Sequence, residues 1–273
     1  MNYSVIRNID KVAAVLRGVG LHRLTRVSRD LLDIFFTKGI CIQIEEDIIS
    51  VPLRDRAFLY AVKESHFEAN TVKLFAETVK PEMIVIDIGA YVGYFTLLAA
   101  RRVGANGKVY AFEPEPKTYR FLKRNICLNE YKNVITVPKA VSNQSGTVKL
   151  YINSSDASMT SLFRRKGSHK AIEIECTTID DFFHEQRVDV VKMDIEGAEP
   201  YALEGIRNTI ERNPNLVLFV ELNPVALKEA GSTSDKLKCM LEDLGFNDIV
   251  ALDEQRNEKG KLLLCNLYCR RLR

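Results

Sequence analysis

The chain has no large surplus of charge of either sign. Its 39 lysines and arginines nearly balance 36 aspartates and glutamates, which leaves a formal net charge of +3 over 273 residues. A protein built to neutralise phosphates would show a concentrated basic surface, so nucleic acid is not an expected partner. There is no C-x-x-C pair among the six cysteines at 41, 127, 176, 239, 265 and 269, and no histidine near them at ligand spacing, which argues against a zinc site. They read as reduced, mostly buried thiols of a cytoplasmic protein, with Cys265 and Cys269 on one face of a strand. No apolar run approaches the ~18 residues of a membrane span. The N-terminal apolar positions are interrupted by Arg17, Gly18 and Gly20, so no signal peptide is expected and the cytoplasm is the expected compartment. Internal repeats and low-complexity segments are also missing. What is present is a composition 46% apolar and 27% charged, ample for a buried core in one large domain with a modest extension.

Residues 1–65 read as that extension and residues 66–273 as the main domain. Leu24, Val27, Leu31 and Ile34 recur at helical spacing, and Gly18-Val19-Gly20 separates two short helices. Arg17, Arg23, Arg26 and Arg29 lie among them. They are expected to be solvated on a helix packed against the main domain, with weak contact to a membrane surface or a partner as the alternative. Ile40, Ile42 and Ile44 then alternate, a polar turn follows at Glu45-Glu46-Asp47, and Ile48, Ile49 and Val51 lead to Pro52, which is a hairpin signature. Residues 66–79 return to helical spacing.

Beyond Pro81, strands and helices alternate. Met83–Ile88, Lys108–Phe112, Val134–Val137, Val188–Met193 and Leu216–Val220 are the strand candidates. Phe95–Arg102, Pro116–Leu128, Ala198–Glu211 and Ser234–Leu244 are the helical ones. Gly146–Ile152 and Ala171–Cys176 read as extra strands around a Ser-rich loop. A closing antiparallel hairpin is expected from Asp248–Leu252 and Lys261–Cys269. The pattern implies an α/β domain with a parallel sheet covered on both faces.

In such a sheet, ligands bind beyond the carboxyl ends of the strands, near the point where strand order reverses. The first strand of the main domain runs into Asp87-Ile88-Gly89-Ala90-Tyr91-Val92-Gly93. Gly89 and Gly93 let the backbone turn tightly, and the next helix presents free N–H groups to an anion such as a methionine carboxylate. Glu113 ends the second strand, 24 residues after Gly89, where an acidic side chain accepts the hydroxyls of an adenosine ribose. The loop is G-x-x-x-G, whereas a dinucleotide pyrophosphate needs G-x-G-x-x-G, and Asp87 suits an ammonium group. The spacing therefore favours S-adenosylmethionine. Pro114 is expected to start the following helix, and Asn125 and Asn129 on that helix read as surface residues.

On the acceptor side, Lys192 and Asp194 share one face near the end of the fourth strand, and charges are rarely buried unless paired. Asp194 and Glu196 are the candidate proton acceptors, with Lys192 beside them and Glu199 as a further candidate. Asp194, Glu221 and Asn223 would be brought to adjacent strand ends, an oxygen set that suits Mg²⁺. Residues 153–170 lack strong periodicity and read as either a lid over the acceptor or a plain surface loop. His169 and His184 have no sequence context that marks a catalytic base.

Taken together, Ile86-Asp87-Ile88-Gly89-Ala90 with Gly93-Tyr94-Phe95, Phe112-Glu113-Pro114, Thr177-Thr178-Ile179-Asp180-Asp181 and Lys192-Met193-Asp194-Ile195-Glu196-Gly197-Ala198-Glu199 resemble the FkbM family of methyltransferases. The likeness runs from about Glu68 to the last strand, and the final block is its most specific part. It implies a class I methyltransferase (Rossmann-like) fold, a seven-stranded sheet in the order 3-2-1-4-5-7-6 with strand 7 antiparallel. It also implies O-methylation of hydroxyls on sugars, polysaccharides or other natural products. By position, Asp87, Gly89, Ala90, Gly93 and Glu113 would contact the cofactor, with Tyr91, Tyr94 and Pro114 beside them. Ala140 would lie near the adenine, Asp194 near the methyl sulfonium, and Glu68 would cap the pocket. One departure is Glu82, where the family often has glycine. The rival readings are a nucleic-acid methyltransferase, disfavoured by the acidic acceptor side, and a cofactor-binding scaffold without catalysis.

Overall fold

The computed structural model describes residues 39–52, 55–64, 67–153, 160–164 and 168–272. The expected N-terminal helices, and the Ser154–Ser158 part of the expected lid, lie outside the described residues.

The described residues open with an antiparallel hairpin, β1 (Ile40–Ile44) and β2 (Asp47–Val51), followed by α1 (Arg56–Lys63) and α2 (Ala69–Thr78). Next come β3 (Ile84–Ile88), α3 (Tyr94–Val103), β4 (Lys108–Phe112), α4 (Pro116–Leu128) and β5 (Val134–Val137). After β6 (Ala140–Val141), β7 (Gly146–Asn153), β8 (Ser168–Thr177) and α5 (Ile179–Phe183), the chain re-enters the main sheet at β9 (Val190–Met193). It continues through α6 (Glu199–Glu204), α7 (Arg207–Arg212), β10 (Val217–Leu222), α8 (Pro224–Glu229) and α9 (Ser234–Asp243). It closes with β11 (Asp248–Arg256) and β12 (Leu262–Arg270).

The main sheet is ordered β11-β12-β10-β9-β3-β4-β5. Numbered within that sheet, this is the expected 3-2-1-4-5-7-6 read from its other edge. β12 runs antiparallel to β10, while β9, β3, β4 and β5 are parallel to their neighbours. The central strands are apolar because both faces are covered: Val85, Ile86, Val190, Val191, Leu218 and Val220 are all fully buried. The strand order reverses beside β3, so the ends of β3, β4 and β9 open onto one crevice.

The extra strands β6, β7 and β8 form a separate three-stranded sheet with β8 in the middle. The helix expected over Ala198–Glu211 is two short helices, broken at Gly205 and Ile206. Gly205 lies so close to Ser142 that a Cβ there would meet the Ser142 carbonyl oxygen at 2.1 Å. Helix α4 starts at Pro116, not Pro114, and Glu115 caps it by accepting from Thr118 N at 2.6 Å. Glu82 adopts φ 66, the left-handed region in which glycine is unstrained, so the departure from the family falls at a position that favours glycine.

Asn125 is a correction to the reading of the sequence. It is fully buried, and its amide accepts from Ser50 N (2.7 Å) and donates to Ser50 O (2.9 Å) and Val92 O (2.7 Å). Asn129 likewise bonds both backbone groups of Ile48 at 2.7 Å. Two asparagines thus act as a surrogate strand for β2. Ile40, Ile49 and Val51 share a core with Leu97 and Leu122. The cysteines are free, but Cys41, Cys127 and Cys239 are exposed, which corrects the expectation of mostly buried thiols. Among the described residues, no helix is long and apolar enough to cross a membrane.

Candidate functional site

The loop after β3 is held to β4 beyond the end of either strand. Gly89 N and Ala90 N both donate to Phe112 O, at 3.0 and 2.9 Å. Gly89 has φ 83, and a Cβ there would lie 1.9 Å from the Asp194 carbonyl oxygen, so only glycine lets the ends of β3 and β9 pass this closely. Gly93, at φ 96, is the N-cap of α3, and Asn125 ties the carbonyl of neighbouring Val92 to α4. The loop is therefore a built surface, fixed from both sides.

A cavity of about 480 Å³ opens above it. Its lining includes Glu68, Asp87, Gly89, Ala90, Tyr91 and Tyr94 from the β3 side, then Glu113, Pro114 and Ala140, and finally Lys192, Asp194, Glu196 and Glu221. Of the residues singled out from the sequence, Gly93 lies behind the loop and Asn223 is absent from the lining. Phe58 and Phe67 form an aromatic wall with Tyr91 and Tyr94, with ring centroids 5.0 to 6.3 Å apart.

Glu113 is buried and orders its surroundings. Oε2 accepts from Tyr91 N at 2.9 Å and Oε1 from Glu115 N at 2.8 Å. Burial pushes its carboxyl up to about 8, against those two backbone donors, which pull it down. Asp87 is buried too. Its Oδ2 accepts from Thr96 Oγ1 at 2.5 Å, and burial raises the group to about 6.

Lys139 also lines the cleft, but Lys192 is its buried cation. Only 1% of its side chain is exposed, and Nζ lies 3.3 Å from both Asp194 Oδ2 and Asn266 Oδ1 and 5.0 Å from the centre of the Phe95 ring. Burial alone would lower its pKa, but Asp194, Glu68, Glu221 and Asp87 together hold it above the ordinary lysine value. Glu68 is raised to about 7, by burial first and by Asp194 and Asp253 as well, although Lys192 and Asn266 oppose the shift. Glu221 is pushed well above the carboxylate range by burial and by Asp194, Glu196 and Glu199. Both Glu68 Oε2 and Glu221 Oε2 are sealed from solvent without a hydrogen-bond partner.

The turn after β9 explains its unusual sequence. Glu196 stands at φ 55 and Gly197 at φ 97, where a Cβ would meet Ala226 O at 2.6 Å. Buried Glu199 reaches back to accept from Ile195 N at 3.0 Å, so it staples the turn, and burial raises it to about 7. Ser161 Oγ donates to Glu196 O at 2.8 Å, which fastens the described end of the loop after β7 over the cleft. Asn223 has a different task from the expected one. Its Oδ1 accepts from Ala226 N at 3.1 Å as the cap of α8, and its amide meets Glu196 Oε2 at 3.4 Å. Among the described residues, no group of three or more His, Cys, Asp or Glu side chains is placed to hold a metal ion.

Sequence reasoning missed Phe58, Phe67 and Asn266. Phe58 lies between the hairpin and the domain, where no pattern was read, and Phe67 at the start of the segment read only as helical. Asn266 had a signal: it is a polar residue inside an apolar strand, paired in register with Glu221.

A family model described as the methyltransferase FkbM domain matches residues 87–247. The methyltransferase sdnD of Sordaria araneosa is 25% identical over 71% of this chain and 87% of its own length. The hexuronic acid methyltransferase AglP of Haloferax volcanii is 23% identical over 56% of this chain and 62% of its own. Among solved structures, M. jannaschii TYW2 in complex with AdoMet aligns with a TM-score of 0.47 and 17% identity, covering 86% of this chain and 87% of that one.

Proposed function

Because the chain belongs to the FkbM family of S-adenosylmethionine-dependent methyltransferases, we propose that it is an O-methyltransferase whose acceptor is a hydroxyl of a sugar, polysaccharide or other natural product. The observation that carries this reading is the pair Lys192–Asp194, set at the lip of a cleft whose other side holds Glu113.

The donor set suits the cofactor. Glu113, with both oxygens already oriented by backbone amides, would receive the ribose hydroxyls, and the apolar edge at Pro114 and Ala140 suits an adenine ring. Asp87 and Glu68 present carboxylates to an ammonium group. When bound, S-adenosylmethionine supplies a methyl group on a positively charged sulfur.

Asp194 is the group placed to act on the acceptor. Its side chain keeps 31% of its surface exposed while Lys192 anchors one oxygen. Asp194 would take the proton of the acceptor hydroxyl as that oxygen is alkylated. Alignment of the hydroxyl supplies much of the rate. Glu196, steadied by Asn223 and Ser161, faces the same space and is the second proton acceptor of the proposal.

The acidic cleft favours this class over nucleic acid, since a phosphate backbone would meet Glu196, Asp194 and Glu68 together. AglP, named for a hexuronic acid substrate, supports a sugar acceptor. The test is transfer of isotopically labelled methyl to a panel of sugars, polysaccharides, polyketide alcohols and RNA. Label in an alkali-stable methyl ether of a sugar or alcohol is expected, and transfer to RNA alone would overturn the proposal. The same assay in EDTA, with and without added Mg²⁺, shows whether Asp194 and Glu221 also serve a cation.

A further inference from the structure

Helix α2 begins without help from its own N-cap residue. An N-cap residue normally has extended backbone and turns its side chain onto the second or third amide of the helix. Glu68 occupies that position in the left-handed region, with φ 41 and ψ 47, and makes no cap hydrogen bond.

The cap comes from the other end of the chain. Asp253 Oδ1 accepts from Asn70 N at 3.1 Å and Asn70 Nδ2 at 2.9 Å, and Oδ2 accepts from Thr71 N at 2.8 Å and Thr71 Oγ1 at 2.7 Å. Asp253 itself has φ 50 and lies in the break of register between Leu252 and Gln255, where β11 departs from its pairing with β12. Those four donors hold its carboxyl below the ordinary range, although burial pulls the other way. With its helix capped from outside, Glu68 turns into the cleft, where it bonds Asn266 and faces Lys192. Its Oε2 is sealed there without a partner.

We propose that Asp253 is a positioning residue for cofactor binding: by capping helix α2 from the closing hairpin, it leaves Glu68 to receive the ammonium group of the cofactor. An ammonium group brings three donors and needs acceptors that are not already used. One oxygen of Asp87 is occupied by Thr96 and one of Asp194 by Lys192, whereas Glu68 Oε2, like Glu221 Oε2, is unused. Glu68, Asp87, Asp194 and Glu221 all lie within electrostatic reach of Lys192, and a bound cation would favour their charged forms as Lys192 does.

The inference rests on the assignment of the cleft to S-adenosylmethionine, and titration of the unaltered protein tests that assignment by itself. The test of the inference is a double-mutant cycle in which S-adenosylmethionine is titrated into the full chain and its Asp253→Ala, Glu68→Gln and doubly substituted forms. Each substitution alone is expected to weaken binding about tenfold, the scale of one hydrogen bond to a charged group. In the Glu68→Gln background, Asp253→Ala should change affinity no further, while still lowering the melting temperature through the lost cap. Equal loss of affinity in both backgrounds would overturn the proposal, as would full affinity in Glu68→Gln. If Asp253→Ala does not fold, Asp253→Asn, which keeps one acceptor oxygen, takes its place with the same expected pattern.

Discussion

Glu113 and Asp194 stand on either side of the central strand β3, at the ends of β4 and β9, in opposite surroundings. Glu113 is buried, bonded through both oxygens to backbone amides and raised to about 8. Asp194 is partly open to solvent and held on one side by a lysine. The first environment fixes geometry and resists change. The second leaves one side of a carboxylate open to whatever enters. The difference is made by backbone, since the loop that arms Glu113 belongs to β3, whereas Asp194 lies in the turn that leaves β9. In the proposed reading, binding and chemistry are thus separated by one strand.

The most severe way to break that division is Lys192→Met. It removes the cation from among four carboxylates, and breaking a buried pair from one side costs about 3–5 kcal/mol, to be read by urea unfolding. Stability within 1 kcal/mol of the parent would show that the acids do not depend on Lys192. Asp194→Asn should lower turnover roughly 100-fold, the scale of general-base catalysis, with cofactor affinity nearly unchanged. An equal loss of affinity would erase the contrast between the two sides.

Asn125→Ala sharpens the comparison from behind. It deletes bonds to Ser50 and Val92 and leaves buried backbone groups unpaired, at a cost of about 2 kcal/mol. It should weaken cofactor binding more than it lowers the turnover of the saturated enzyme.

A further effect is a slope with pH. Glu113 binds a proton in the folded state up to about 8, whereas its ordinary value is 4.5. The folded chain therefore holds more protons than the unfolded one between those values, and its stability falls as pH rises through that window. The Glu113→Gln variant should show a shallower decline in its urea midpoint between pH 5 and 8, and an unchanged slope would contradict the assignment.

Much of this was legible in sequence because it rests on local rules. The buried strands, the G-x-x-x-G loop, Glu113 and the Lys192–Glu199 block announce themselves through apolar runs, glycines and charges placed where apolar residues belong. Asn125 was misread because its helical position looks like surface until the hairpin lies across it. Asn223, a candidate metal donor in the sequence, caps α8 in the structure, and a strand-end amide and a helix cap share one sequence signature. Asp253 capping Asn70 and Thr71 spans about 180 residues, and no local pattern encodes such a contact. The division of one expected helix at Gly205 likewise depends on the approach of Ser142.

The most direct test of the central claim is calorimetric titration of S-adenosylmethionine into the protein and its Glu113→Ala variant. Saturable binding is expected that weakens roughly 30-fold in the variant, the worth of two hydrogen bonds of about 1 kcal/mol each. Equal affinity in the two proteins, or no binding by the well-folded parent, would contradict it.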